Sequence, residues 1–188
     1  MQELVKAACG FDILNHLNLK SLQEACQSFE NIRLDVSSWD ELFSELQVTF
    51  IDPYLATLGA VFVTHWPRPL AVLAKGDPKD PRVALRFELY LGGLELANGF
   101  EELTDPKEQQ QRFEEDIRQR RQRRLPDMPM PKRFINALSM GMPPSAGVAV
   151  GVDRLLMLAT DCEDIQAINP FGVTRCAQTA NIEWGSLK

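Results

Sequence analysis

The segment at residues 147–154, GVAVGVDR, constrains the fold of this chain more than any other. Its small residues Gly147, Ala149 and Gly151 alternate with three valines. Because successive side chains of a strand point to opposite faces, the valines pack into a core and the other face is nearly bare backbone. A flat ligand such as a purine ring can lie on that bare face. An ordinary buried glycine-rich strand explains the segment equally well.

Asp153 and Arg154 then begin a helix. An arginine at this place can bind a phosphate through two parallel hydrogen bonds, and its charge does not titrate away. The sequence contains neither the GxxxxGK(S/T) loop nor the GxGxxG loop. A P-loop or Rossmann phosphate site is therefore not predicted.

A pair of strands around Gly92 and Gly93 forms the second informative region. Residues 85–91 alternate between an apolar side and a polar side, which predicts a half-buried strand. The apolar side carries Leu85, Phe87, Leu89 and Leu91, and the polar side carries Arg86, Glu88 and Tyr90. Glycines accept the positive φ angles of a two-residue hairpin turn, so residues 94–100 return as the partner strand.

This hairpin predicts a metal site. With a two-residue turn, Tyr90 faces Glu95 and Glu88 faces Ala97, so the four side chains share one face of the sheet. Glu88 and Glu95 then become diagonal neighbours, and two such carboxylates repel each other unless a cation lies between them. Mg²⁺ bound to a polyphosphate suits a pair of this kind. The alternative is that both are surface glutamates, each near an arginine such as Arg86.

The segment ELANGFEEL, at residues 95–103, is dense in polar groups. Asn98 and Gly99 interrupt its strand alternation, and a glycine here lets the backbone approach a ligand. Glu102 can pair with the ammonium group of a ligand. The alternative is a loop with ordinary surface acids.

Capping and breaking residues outline the other elements. Helices are predicted near residues 21–30 and 38–48, with Ser21 and Ser38 as N-caps in capping boxes. Asp105 and Pro106 begin a longer helix, with Glu108 completing a capping box. Further elements are predicted as a strand at 60–66, a loop at 76–82, a helix at 132–140, a strand at 146–152 and a helix at 153–159.

Composition excludes several classes of protein. The longest apolar stretch, residues 55–63, is too short to span a bilayer, and the first residues lack the pattern of a signal peptide, so we expect a cytoplasmic protein. The spacing of the four cysteines and two histidines does not predict a zinc site or a disulfide framework. The net charge of −6 argues against a broad nucleic-acid surface. The basic cluster at residues 118–124 is interpreted as a solvated helix face, with a docking patch for an acidic partner or RNA as the alternative.

Taken together, these segments resemble the C-terminal half of the lysyl-type class II synthetase core. Residues 147–158 resemble motif 3 of that class, and residues 86–88 and 95–105 resemble the two segments that precede it. Residues 95–120, ELANGFEELTDPKEQQQRFEEDIRQR, are most similar to the elongation factor P lysine ligases, paralogues of lysyl-tRNA synthetases. The implied fold is α+β, an antiparallel sheet with flanking helices. Residues 83–188 correspond to the catalytic core, and residues 1–82 to a mainly helical insertion.

The resemblance implies a nucleotide site. Glu88 and Glu95 match the positions that hold Mg²⁺ and ATP, and Leu96 and Asn98 join Glu95 beside the nucleotide. Gly151 matches the glycine against the adenylate. Arg154 matches the motif 3 arginine that grips the ATP tail, which makes Arg154 and Glu95 the catalytic candidates.

The resemblance to the synthetase family also implies an amino-acid substrate. Glu102 matches the acid that receives an amino group of the amino acid. Ala149 stands where lysyl-tRNA synthetases have glycine, and its methyl group would reshape the pocket towards β-lysine, which favours the ligase family over a tRNA synthetase; the amino acid itself stays open between lysine and β-lysine. The implied reaction forms an aminoacyl adenylate from ATP, then transfers the acyl group to a lysine of elongation factor P. A tRNA partner is not expected.

One departure from the family is large. Motifs 1 and 2 are not found in residues 1–82, so we expect this chain alone to be inactive as a ligase. The alternatives are a non-catalytic remnant or binding module, and a fragment of a lysyl-tRNA synthetase. A sheet that lacks its first strands exposes an edge or an apolar face, which predicts a homo-oligomer.

Overall fold

A computed structural model describes residues 1–71 and 73–169. A helical layer comes first in the chain, and a four-stranded antiparallel sheet with further helices follows, which confirms the predicted α+β class. The helices are α1 (Gln2–Cys9), α2 (Leu19–Cys26), α3 (Trp39–Leu46), α4 (Asp52–Thr57), α5 (Pro106–Gln122), α6 (Lys132–Ser139), α7 (Val152–Ala159) and α8 (Ile165–Ile168). The strands are β1 (Ala60–Pro67), β2 (Val83–Leu91), β3 (Leu94–Glu101) and β4 (Ala146–Val150). Within the described residues, no helix is long and apolar enough to cross a membrane.

The helix N-termini follow the capping chemistry of the sequence with three differences. Ser38 caps α3 as predicted, and its hydroxyl oxygen accepts a hydrogen bond from the Glu41 amide at 3.3 Å, but the Glu41 carboxylate accepts from the Ser37 amide at 2.8 Å and does not complete the predicted capping box. The prediction for Ser21 was wrong, because Asn18 lies one turn earlier, accepts from the Ser21 amide at 3.0 Å and starts α2 at residue 19. Asp105 caps α5, but the Glu108 carboxylate pairs with Arg68 and Arg112 and takes no part in a capping box.

The sheet has the strand order β1-β2-β3-β4, and every neighbouring pair is antiparallel. The β2–β3 turn has positive φ angles at Gly92 and Gly93, 57° and 82°, as the hairpin prediction required. Tyr90 pairs with Glu95 as predicted, but Glu88 pairs with Asn98 and not with Ala97. The cause is a β-bulge between Leu89 and Tyr90, where the ladder shifts by one residue.

The burial of β2 is the reverse of what its alternation indicates. Glu88 and Tyr90, on the polar side, are each 4% exposed, whereas Phe87 and Leu89 are half-buried and Leu91 is exposed. The reason is that the core of the helical layer lies against the polar side of β2. That core includes Ile13, Leu22, Leu42, Phe43, Leu46, Ile51, Leu55, Val63, Trp66 and Tyr90.

The opposite side of the sheet is open. We call it the outer apolar face, and it is formed by Phe62, Phe87, Leu89, Val148 and Val150, which the strand register places on one side. Phe62, Val148 and Val150 are 64%, 58% and 52% exposed. Among the described residues β4 pairs with β3 alone, and all five of its residues are exposed.

Candidate functional site

Three strands bring the predicted site residues onto the inner side of the sheet, opposite the outer apolar face. Glu88, Asn98 and Ala149 form one row across β2, β3 and β4. Tyr90 and Glu95 are paired toward the hairpin turn. Since paired residues on adjacent strands project to the same side, one surface carries residues from all three segments that the sequence had singled out.

The small residues of β4 form a bare strip along this surface. A Cβ added to Gly147 would lie 3.0 Å from Glu102 Oε1, so the Glu102 carboxylate reaches over the backbone at this end. At the other end, the Gly151 amide donates to the Leu96 carbonyl at 2.8 Å, and a Cβ there would lie 3.4 Å from Arg154 Cδ. Residues 147 and 151 are about 13 Å apart in an extended strand. The strip therefore has a carboxylate at one end and a guanidinium at the other.

Arg154 and Glu95 contact each other at the guanidinium end. Arg154 Nη1 donates to the Glu95 carbonyl at 2.8 Å and lies 3.5 Å from the Glu95 carboxylate. The two side chains are 45% and 37% exposed, so both charges are within reach of a ligand from solvent. Arg154 stands in the first turn of α7, where backbone N–H groups add positive potential.

Glu88 is buried and both of its carboxylate oxygens have partners. Arg86 Nη2 donates to Oε1 at 2.5 Å, and the Tyr90 hydroxyl donates to Oε2 at 2.5 Å. Burial raises the pKa of Glu88, the hydrogen bond from Tyr90 and the charge of Arg86 oppose that rise, and the nearby Glu95 adds to it. Burial also raises the pKa of Tyr90, and the carboxylate of Glu88 raises it further. Glu88 and Glu95 thus belong to one electrostatic cluster, but only Glu95 is open to solvent.

A preformed metal cage is not seen in the described part of the chain, where no group of three or more His, Cys, Asp or Glu side chains converges. Glu95 could contribute to a cation site from solvent, and Glu88 could do so only if Arg86 or Tyr90 released one of its oxygens.

Comparison with known proteins decides the family. The family model of class II tRNA synthetases (D, K and N) matches residues 44–175, which includes the whole strip and the strands beside it. The chain belongs to this family.

Within the family, the chain is similar to proteins named elongation factor P--(R)-beta-lysine ligase. The one from Erwinia tasmaniensis is 49% identical over 137 residues, 73% of this chain and 42% of that protein. The one from Hamiltonella defensa is 43% identical over 171 residues, 86% of this chain and 53% of the relative. The one from Haemophilus influenzae is 43% identical over 152 residues, which are 81% of this chain and 47% of that protein. This synthetase-family chain spans about half the length of the curated relatives it matches.

Sequence reasoning missed two residues of this synthetase-family site. Arg86 and Tyr90 both hold Glu88, and Arg86 also contacts Asn98. The alternation of polar and apolar residues in β2 places the Arg86 and Tyr90 side chains on the same side as Glu88, and this was the sequence signal that could have identified them. Their contacts depend on the bulge and on the buried helical layer, which the sequence did not reveal.

Gly99 does not serve the site in the way expected. A Cβ added there would lie 2.7 Å from the Gly147 carbonyl oxygen and 2.7 Å from Phe87 Cε1. The bare backbone of Gly99 is therefore covered by a phenylalanine ring of the outer apolar face, not left open for a ligand. Glu101, one of the polar residues of the same segment, pairs with Lys75.

The basic cluster at residues 118–124 covers the end of α5 and the two residues after it, and three of its five arginines form ion pairs. Arg118 pairs with Glu115, and Arg121 pairs with Asp127 at 2.9 Å. Arg123 pairs with Asp40 of α3 at 3.0 Å. The exposed pairs of Arg118 and Arg121 favour the interpretation of a solvated helix face, whereas Arg123 contacts the helical layer.

Proposed function

We propose that this chain binds Mg²⁺-ATP on the inner side of its sheet and takes part in activating lysine or β-lysine for transfer to elongation factor P. The observation that carries the proposal is the strip of β4, which has Glu102 at one end and Arg154 at the other. An aminoacyl adenylate has the same polarity, with an ammonium group at one end and a phosphate toward the other. The names of the relatives supply the choice of acceptor protein.

The nucleotide half of the proposal uses the guanidinium end of the strip. Arg154 binds a phosphate of ATP once its contact with Glu95 loosens, and an arginine fork does this bidentately. The adenylate lies against Gly151 and beside Leu96 and Asn98. Glu95 and Glu88 are the proposed Mg²⁺ ligands, with Glu95 open and Glu88 available only when Arg86 or Tyr90 releases an oxygen. Bound Mg²⁺ would neutralise phosphate charge.

The amino-acid half uses the carboxylate end. Glu102 pairs with an amino group of the substrate, and the methyl group of Ala149 shapes the floor between the two ends. The substrate carboxylate attacks the α-phosphorus of ATP and pyrophosphate leaves. A lysine amine of elongation factor P then attacks the acyl carbon, and AMP leaves. The side chains of this chain bind and orient the reactants, which is the main source of rate in this class of reaction.

Location and partners complete the proposal. The reaction takes place in the cytoplasm, where elongation factor P and ATP occur together. The neutralised arginines of α5 and the net charge of −6 do not favour tRNA as a partner.

A second candidate is a nucleotide-binding module without ligase activity. It is favoured by Glu88, whose two oxygens are already engaged by protein groups, and by Arg154, which is already held by Glu95. Such a module would bind Mg²⁺-ATP weakly and would form no adenylate.

Calorimetric titration with Mg²⁺-ATP tests the site. We expect saturable binding that weakens about 10-fold or more in Arg154→Ala, since a charged hydrogen-bonded contact contributes about 1.5–3 kcal/mol. Arg118→Ala is the matched control, because Arg118 is an exposed arginine paired with Glu115 on α5. Absent binding, or equal binding by the two variants, would exclude a nucleotide site here.

Pyrophosphate exchange separates the two candidates. Exchange that depends on lysine or β-lysine supports the ligase. ATP binding without exchange with either amino acid supports the module, and the same assay decides whether this chain alone is inactive.

A further inference from the structure

We infer that Arg86 is a positioning residue that fixes the orientation of the Asn98 amide, so that Asn98 presents a hydrogen-bond donor to the ligand. Arg86 Nε donates to Asn98 Oδ1 at 3.3 Å. The identity of the ligand rests on the proposed function, whereas the orientation of the Asn98 amide does not. Sequence patterns had assigned Arg86 no role beyond that of a neighbour of the glutamates.

The Arg86 guanidinium is held from several directions. Its Nη2 donates to Glu88 Oε1 at 2.5 Å, and its Nη1 donates to the Leu70 carbonyl at 2.9 Å. Its central carbon lies 4.4 Å from the ring centre of Trp66, which is itself buried and donates through Nε1 to the Val63 carbonyl at 3.2 Å. The Arg86 side chain is 13% exposed. A planar group with this many contacts has little freedom to turn, so its Nε–H points along a fixed direction.

Asn98 receives its orientation from this fixed donor. An arginine has donors and no acceptor, so the Asn98 atom that faces Nε must be the carbonyl oxygen and not the amide nitrogen. The Nδ2 group of Asn98, which carries two hydrogens, then faces away from Arg86. Asn98 is half-buried and pairs with Ala149 of the bare strip. The strip therefore meets an N–H donor at its middle, which suits an acceptor atom such as a carboxylate, carbonyl or phosphate oxygen.

A lysine cannot replace Arg86 in this arrangement. Its ammonium group is a single point of charge and cannot reach Glu88, Leu70 and Asn98 with separate, planar donors. The Asn98 amide would then be free to turn by 180° and present its oxygen to the ligand. The orientation depends on the shape of the guanidinium and not on its charge alone.

The first test needs no nucleotide. In protein labelled with ¹⁵N at asparagine, we expect the side-chain amide signals of Asn98 to shift and broaden in Arg86→Lys. Arg112→Lys is the matched control, because Arg112 is also a partly buried arginine that bridges a carboxylate, on Glu108, and a backbone carbonyl, on Ala74. An unchanged Asn98 signal in Arg86→Lys, or an equal change in Arg112→Lys, would overturn the inference.

The second test keeps Arg86 in place and so does not depend on the folding of its variant. Asn98→Asp retains the acceptor for Arg86 and removes the donor. We expect this variant to fold and to bind either Mg²⁺-ATP or an analogue of lysyl adenylate about 10-fold more weakly. Binding of both ligands as tight as in the unmodified chain would overturn the inference. If the unmodified chain binds neither ligand, the proposed function fails, and the amide spectrum alone decides the role of Arg86.

Discussion

The guanidinium of Arg123, the residue that caps the end of α5, donates to both carboxylate oxygens of Asp40 in the first turn of α3, at 3.0 and 3.4 Å. The two residues are 83 positions apart. This ion pair joins the basic cluster of α5 to the helical layer, which otherwise meets the rest of the chain mainly through the sheet. The cluster thus has a structural contact that its sequence pattern does not predict.

Arg123→Ala should lower the free energy of unfolding by about 0.2–1 kcal/mol at neutral pH, the range for partly exposed ion pairs. Burial raises the pKa of Asp40, but the hydrogen bonds from Arg123, Ser38 and the backbone, together with the charge of Arg123, outweigh it, and the net pKa is lowered. The pair therefore stabilises the fold above the ordinary pKa of aspartate, and this contribution is lost as pH falls through the lowered value. Urea denaturation at neutral and at acidic pH measures the difference. Arg121→Ala, whose pair with Asp127 is more exposed, should cost less, and an equal loss at both pH values would refute the assignment.

Gly99→Ala should destabilise the fold by about 1–3 kcal/mol, because the new methyl group has no room between Phe87 and the Gly147 carbonyl. Gly59→Ala is the control, since a Cβ at residue 59 meets no atom within 4 Å. Thermal or urea unfolding of both variants gives the comparison. Equal stabilities would mean that β3 and β4 are farther apart than in this structure.

The outer apolar face should cause self-association at high protein concentration. Val150→Lys and Phe62→Lys place charges on that face and should shift the chain toward the monomer, because they break up the exposed apolar patch. Val48→Lys is the control, since Val48 is 70% exposed but lies in the helical layer. Light scattering over a concentration series reports the mass. A monomer at every concentration, or an equal effect of Val48→Lys, would contradict the prediction.

Cys9 and Cys26 should react slowly with alkylating reagents in the folded protein. Burial raises the pKa of each thiol to about 11, and the thiolate is the reactive form. Because both values are raised above 9.0, the contribution of the buried thiols to stability is present below that pH and is lost as pH rises through about 11. Among the three cysteines that the structure describes, peptide mass spectrometry after timed alkylation should find Cys162, which is half-buried, modified first. Rapid native labelling of Cys26, which is fully buried, would contradict this; Cys176 lies outside the described residues.

Local chemistry made much of the fold predictable. Gly92 and Gly93 required a primed turn, Asp105 with Pro106 required a helix start, and the alternation in residues 147–151 required a strand. Each of these signals acts between residues close in sequence. The same local rules failed at Ser21, because Asn18 is an equally good cap and comes first.

Burial was not predictable, because it depends on residues far away in the chain. The polar side of β2 is covered since the helical layer packs there, and Arg86 and Tyr90 then satisfy Glu88. An alternating pattern shows that a strand has two different sides, but it does not show which side a distant helix will cover. For the same reason the sequence could name Glu88, Glu95 and Arg154 without showing that Glu88 is enclosed. The boundary at residue 82 and the ligand roles of the site residues stay predictions.

The one-residue bulge in the β2–β3 ladder has a consequence for how this sequence can vary in evolution. The extra residue of the bulge is Leu96 in β3, which lies between the pair Tyr90–Glu95 and the pair Leu89–Ala97. The number of residues between the turn and Asn98 is therefore a requirement separate from the identity of the site side chains. Deleting Leu96 would restore a regular ladder and leave Asn98 opposite Glu88, but it would remove the carbonyl that accepts from the Gly151 amide. Adding a residue that the bulge does not absorb would carry Asn98 to the opposite side of the sheet. Insertions and deletions in this short interval should therefore be rarer among functional relatives than substitutions at the same positions.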